Sequence, residues 1–230
     1  MKNFPTDLID GHKRFSDGRL EAERDRYRQL AREGQHPRTM VIACCDSRAA
    51  PETIFDMGPG ELFVVRNVAN LVPPYEPDGG QHSTSAAIEY AVVVLRVERI
   101  VVLGHGRCGG IAAALETDHH ALSEGDFIGK WIDLLRPEAA RVRGAEASPE
   151  DRQCALEHAG VRGSIERLRA FPVVARAEAE GRLKLSGAWF DIESGELRIL
   201  DRASGEFRHP SEVPPAEALP VSLDAIPAAG

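Results

Sequence analysis

The spacing of apolar and polar positions changes abruptly near residue 39. Before it, charged residues dominate and the few apolar ones recur at helical intervals. Thr6 or Asp7 can cap a first helix reaching about Phe15, and a second runs from Glu21 to Glu33 with Tyr27, Leu30 and Ala31 on one side. Residues 1–35 are too polar to carry a core alone and read as a helical arm lying across the domain or across a partner subunit. From Thr39 onward, β-branched runs alternate with helical segments. Strands are expected at Thr39–Cys44, Leu62–Arg66, Ile100–Gly104 and Leu183–Asp191, with Glu196–Asp201 as an antiparallel hairpin partner. Helices are expected at Ser83–Leu95, Ile111–Leu115, Phe127–Leu135 and Gln153–Leu168, the first capped by Ser83 or Ser85. Buried strands alternating with helices predict an α/β fold: a mainly parallel central sheet covered by helices on both faces, in one domain spanning 1–230. The Pro- and Ala-rich tail, 210–230, has no period and is expected to be loosely attached. No internal repeat is evident.

Composition narrows the class of function. With 43% hydrophobic and 28% charged residues in 230, the chain has the balance of an ordinary globular protein. A formal charge of −8 argues against duplex nucleic acid or an anionic membrane as partner, since both call for basic patches. The N-terminal residues lack the apolar core of a signal peptide, no stretch is long enough to span a bilayer, and a cytoplasmic location is expected. Four cysteines, two of them adjacent and a third in a Gly-rich loop, suggest metal binding in a reducing compartment rather than a disulfide framework.

Two of the expected strands end in soft metal ligands. Met40-Val41-Ile42-Ala43 runs into Cys44-Cys45-Asp46-Ser47-Arg48, and Arg99–Leu103 runs into Gly104-His105-Gly106-Arg107-Cys108-Gly109-Gly110. In an open sheet of this kind ligands bind at the carboxyl ends of the strands. Cys44, His105 and Cys108 would therefore meet there as a Cys2His zinc site with its fourth position open, the arrangement of a catalytic centre rather than a scaffold. Cys45, on the other side of an extended segment from Cys44, is assigned to packing, and Cys154 to a structural place in its helix. Asp46 and Arg48 follow Cys44 at alternate positions, so a carboxylate fixed by a guanidinium would face the metal and accept a hydrogen bond from its water. Residues 104–109 also spell G-x-G-x-x-G, but the stretch from Thr117 to Gly125 is no strand ending in an acidic residue, so the dinucleotide-binding reading fails on context. The pair His119-His120 reads as solvent-exposed.

These motifs resemble the β-class carbonic anhydrases. The pattern C-x-D-x-R followed distantly by H-x-x-C is present as Cys44, Asp46, Arg48, His105 and Cys108, and Glu61–Asn70 and Gly104–Gly110 both read as family segments. The resemblance covers nearly everything up to about Pro210. It implies one zinc ion per chain and reversible hydration of carbon dioxide to bicarbonate and a proton by a metal-bound hydroxide. It also implies a helical arm embracing a second subunit, in a homodimer or a higher even-numbered oligomer. A narrow pocket at that interface would be lined by Gln35, Phe63, Val68 and Tyr90, the matches to the family's plant-like branch, with Gly109 beside Cys108.

The sequence departs from the family in two places. The other branch carries a tryptophan and a glycine where Val41 and Ala43 stand, so no inhibitory bicarbonate site is expected and water rather than Asp46 should complete the metal's coordination. A histidine that plant-like members use to pass protons falls at Val94, which leaves Tyr90, His82 or buffer to carry the proton. Two other readings use the same ligands: a hydrolase of carbon disulfide or carbonyl sulfide, and a zinc-holding or bicarbonate-sensing protein without activity.

Overall fold

The computed structural model describes residues 4–117 and 121–213; the His119-His120 pair and the tail beyond 213 lie outside them. The change of period at residue 39 is where a six-stranded sheet begins. Its strands are β1 (Thr39–Cys44), β2 (Leu62–Asn67), β3 (Arg99–His105), β4 (Lys184–Phe190), β5 (Leu197–Leu200) and β6 (Phe207–Arg208), in the order β2-β1-β3-β4-β5-β6. The first four run parallel to one another, and β5 and β6 close the sheet as an antiparallel meander on β4. The sheet is mixed, parallel at its core. Because the chain leaves β1 for β2 on one side and returns as β3 on the other, loops diverge at the carboxyl ends of β1 and β3 and leave a crevice there.

The helices are α1 (Thr6–Asp17), α2 (Arg19–Glu33), α3 (Pro51–Ile54), α4 (Ser83–Glu89), α5 (Gly109–Leu115), α6 (Phe127–Ile132), α7 (Arg136–Arg143), α8 (Pro149–Arg169) and α9 (Pro172–Ala179). Neither α1 nor α2 buries a residue, and their starts follow Pro5 and Gly18 with no side-chain cap, so the expected caps at Thr6 or Asp7 are not used. The helix expected over Ser83–Leu95 is α4 followed by a π-helical turn, Tyr90–Val94, and it likewise starts without a serine cap. The wider turn points Ala91 and Val92 into the core and leaves Tyr90, Val93 and Val94 about half exposed. No described helix is long and apolar enough to cross a membrane.

The two faces of the sheet are not covered alike. Alternate residues Met40 and Ile42, Ile100 and Val102, and Leu185 join Ile88, Val161, Leu168 and Val174 from α4, α8 and α9 in the main core. Fully burying one such aliphatic side chain contributes about 1.5–3 kcal/mol. On the other face the buried cluster among the described residues is smaller, Val41, Ala43, Leu103 and Ala188, packed by Ile54 and Phe55 at the end of α3 and by half-buried strand residues. A third cluster, with Leu71, Ile111, Leu135 and Leu156, lies under the crevice and includes Cys44 and Cys108.

Two glycines set how closely the crevice is built. A Cβ at Gly104 would lie 2.7 Å from Val161 Cγ2, so α8 presses directly on β3. A Cβ at Gly110 would lie 2.7 Å from Val68 Cγ1, so α5 presses on the segment after β2. Gly104 and Gly110 thus serve close packing, whereas a Cβ at Gly109 would meet nothing within 4 Å. A short repeat escaped the sequence reading: D-x-x-S-G-E occurs at Asp191–Glu196 and again at Asp201–Glu206. Each aspartate accepts bonds from the backbone N–H two residues on and the serine hydroxyl three on, making the two tight turns of the meander.

Candidate active site

Parallel register places the ligands before any side-chain detail is considered. Ala43 pairs with Leu103, so Cys44 ends β1 level with Gly104, and His105 ends β3 one residue further on. Arg107, at φ 56°, turns the chain back so that Cys108 opens α5. The donor atoms of Cys44, His105 and Cys108 all lie within 4.8 Å of one another, and all three residues are buried.

The imidazole is already oriented. His105 Nδ1 lies 2.9 Å from the Gly106 carbonyl, which can only accept, so Nδ1 carries the hydrogen. That leaves Nε2 with a free lone pair, buried and without a hydrogen-bond partner. An orphaned buried nitrogen facing two thiols is what a soft divalent cation satisfies, and two sulfurs with one nitrogen suit zinc with a fourth position left over. Cys44 and Cys108 Sγ stand 3.9 Å apart. The hydrogen bond from Cys108 is the largest influence holding the Cys44 thiol down to about 4, with the Ala69 N–H at 3.3 Å adding to it against burial. The same bond, with burial, pushes the Cys108 thiol up. A cation bound by both sulfurs would displace the protons they carry. Burial alone would lower the His105 pKa, but the Cys44 sulfur, the Gly106 carbonyl and the Asp46 charge outweigh it and the pKa is raised.

Asp46 stands beside this cluster. Its Oδ1 accepts from Arg48 Nε at 2.9 Å and Oδ2 from Arg48 Nη2 at 2.7 Å, and the Arg48 N–H adds a third bond at 3.0 Å. Arg48 holds the carboxyl well below the usual carboxylate range. Oδ2 lies 3.9 Å from His105 Nε2. Arg48 Nη2 also donates to the Arg107 carbonyl at 3.2 Å, tying the loop after β1 to the loop after β3.

Three supporting residues escaped the sequence reading. Arg66 donates to the carbonyls of Cys44 and Asp46 at 2.8 and 2.7 Å, pinning the strand end. Asn67 closes the turn that puts Ala69 and Asn70 at positive φ, by bonds of 2.8 Å to and from Leu71. Glu157, 3% exposed, accepts from the Cys108 N–H at 3.1 Å, Gln153 Nε2 at 3.1 Å and Trp189 Nε1 at 3.0 Å. Burial raises its pKa against those three donors. Its signal was available: four and eight positions before the buried Val161 and Ile165, it is a charge on the apolar face of α8.

An open groove of about 590 Å³ adjoins the cluster, with Cys45, Asn67, Val68, His82, Ile128 and Trp131 among its walls. Cys45 is exposed, not packed as expected: β1 ends at Cys44, and the chain leaves the pleat whose alternation would have turned Cys45 into the opposite face. Val68 is half-buried beside the site, its carbonyl accepting from Trp131 Nε1 at 2.8 Å, and Gly109 is exposed at the start of α5. The other expected pocket residues are elsewhere. Phe63 pairs with Met40, four residues before the level of Cys44, which is about 13 Å along the strand. Tyr90 packs against Phe63 with ring centroids 5.9 Å apart, and Gln35 is exposed before the amino end of β1. Val41 and Ala43 are buried in the sheet's less covered face, and Val94 is exposed on the π-helical turn.

The carbonic anhydrase family model matches residues 39–197. A carbonic anhydrase of Pseudomonas aeruginosa is 41% identical over 216 residues, covering 93% of this chain and 95% of that one. Among solved structures, the β-carbonic anhydrase CcaA superposes with a TM-score of 0.81 at 30% identity, over 89% of this chain and 98% of that one. One of two tetrameric β-carbonic anhydrases from Sordaria macrospora gives a TM-score of 0.73 at 31% identity, over 84% and 94%.

Proposed function

The chain belongs to the β-class carbonic anhydrases, enzymes of the zinc-dependent reversible hydration of carbon dioxide, and we propose how its own residues divide that work. Cys44, His105 and Cys108 hold one zinc ion, and the observation that carries this assignment is the orphaned, buried Nε2 of His105 facing the two thiols. When bound, the zinc supplies Lewis acidity that brings the pKa of a water towards about 7.

Asp46 stays ionised and aimed because Arg48 occupies both its oxygens, so it accepts the hydrogen of the attacking water and fixes which lone pair faces the substrate. The same engagement keeps Asp46 with Arg48 rather than with the metal, and Val41 and Ala43, both apolar and buried, offer no polar site for an inhibitory bicarbonate. Val68 gives carbon dioxide a dry place to lie, and Gly109, lacking a side chain, leaves room beside Cys108. Phe63 lies too far back along β2 to serve its own centre, with Tyr90 packed on it and Gln35 before the amino end of β1; these three line the centre of a second copy, where Gln35 donates to a product oxygen. The half-exposed apolar stripe Tyr90, Val93 and Val94 and the arm formed by α1 and α2 support that association, as do the tetrameric Sordaria relatives. A homodimer or higher even-numbered assembly follows. Four free cysteines, two of them the ligand thiols, suit the reducing cytoplasm.

The test is stopped-flow hydration of carbon dioxide by zinc-quantified protein across neutral and alkaline pH. Fast hydration with about one zinc per chain supports the reading. Full zinc loading without hydration would overturn it.

A further inference from the structure

Each hydration of carbon dioxide yields bicarbonate and one proton, and that proton must leave a buried centre before the next turnover. A groove borders the chain segments that follow Cys44 and pair with it. One wall is Cys45, Asn67 and Val68, which follow Cys44 or face it across the β1–β2 pair; His82 stands on the same groove, at the start of α4. His82 is partly exposed, with Nε2 2.7 Å from Asp78 Oδ1. Asp78 is itself held by the Gly80 N–H at 2.7 Å, and chiefly the bond to His82 keeps its carboxyl below the usual range. An ionised carboxylate only accepts, so Nε2 carries the hydrogen and Nδ1 of the neutral ring is left as a base. Among the groove's described walls His82 is the one imidazole, a side chain that can both accept and donate a proton.

We propose that His82, oriented by Asp78, takes the proton of each hydration from the solvent of the groove and passes it to buffer. The balance is simple. The reacting water loses H⁺, the neutral ring gains it at Nδ1, the imidazolium pairs with Asp78, and a buffer base removes the proton; no electron and no other atom moves. The proposal rests on carbon dioxide hydration at the Cys44–His105–Cys108 centre.

The experiment measures kcat and kcat/KM on zinc-loaded full-length enzyme, wild type, His82→Gln and Asp78→Asn, at low and high buffer, with and without imidazole. At low buffer, kcat of His82→Gln should fall by about tenfold or more. Its kcat/KM should not change, and added imidazole should restore kcat. Asp78→Asn should lose less. Independently of turnover, ring ¹⁵N spectra should show His82 protonated at Nε2 in the wild type and mixed between tautomers in Asp78→Asn. An unchanged kcat in His82→Gln, a parallel fall in kcat/KM, or a loss that imidazole does not restore each overturns the proposal alone. Absence of hydration in the zinc-loaded wild type would overturn the functional reading, and the proposal with it.

Discussion

Two histidine–cysteine pairs among the described residues have similar reach and opposite character. At the sheet's carboxyl edge, His105 and the thiols of Cys44 and Cys108 lie within 4.8 Å, with the imidazole tied at Nδ1 and unpartnered at Nε2. On α8, Cys154 Sγ lies 3.9 Å from His158 Nε2. There the ring stacks on Phe207 at 4.1 Å and meets Trp189 edge-on at 5.1 Å. Burial, with the charges of Arg162 and Arg198, pushes the His158 pKa down to about 4, and burial pushes the Cys154 thiol up. Near His105 the surroundings favour the charged ring and the Cys44 thiolate, while Cys108 is pushed the other way; near His158 they favour the neutral forms of both groups. Proximity of sulfur and imidazole is not what makes a metal centre. The difference lies in a second thiol, a fixed tautomer and a carboxylate 3.9 Å away at the first pair, and an aromatic sandwich at the second.

The comparison can be broken most severely at the ligands. His105→Asn or Cys44→Ser should abolish zinc retention and hydration, by more than the 10–100-fold that loss of an outer partner costs, as read by metal analysis and stopped flow. Asp46→Asn should keep zinc while lowering turnover by about 10²-fold or more; unchanged turnover would remove its role. Glu157→Gln, which keeps the shape but weakens the hold on the Cys108 N–H, should raise the zinc dissociation constant by roughly tenfold in chelator competition.

The second pair should answer to pH rather than to metal. The folded pKa of His158 lies below its ordinary value, so the unfolded chain binds more protons between about pH 6.5 and 4. Its contribution is whole above that window and is lost as pH falls through it, by on the order of 2 kcal/mol. In urea titrations His158→Phe, which can still stack on Phe207, should lose stability less steeply than wild type over the same range; zinc release is common to both proteins and cancels. The smallest effect is expected from Cys154→Ala, within about 1 kcal/mol and with zinc unchanged.

The ligand half of this comparison was legible because the signals were period and position. Short β-branched runs gave β1 to residue, and β2 to β5 to within one residue at either end, and strand ends are where such sheets bind ligands. The supports were harder to see. Helix α7, Arg-Pro-Glu-Ala-Ala-Arg-Val-Arg, buries only Ala139, so its sequence carries almost no apolar stripe. Helix α9 is eight residues long, and β6 only two. The π-helical turn at Tyr90–Val94 uses a period that a helical template does not contain. Cys45 was misplaced by carrying strand alternation one residue past the strand's end. Glu157 was visible as a misplaced charge, but two of the three donors it satisfies, the Cys108 N–H before α5 and Trp189 on β4, are brought to it only by the folded chain.

The register of β1 against β3 also has a consequence during synthesis. Cys44 and Cys108 are 64 residues apart, and the edge of β1 that β3 occupies stays vacant while β2 and α4 are being made. A nascent chain ending before residue 105 has neither the imidazole nor the second ligand thiol. Capture by all three ligands therefore has to wait until residue 108 has been made, so metal loading is a late event in synthesis and not a nucleus around which the early chain condenses.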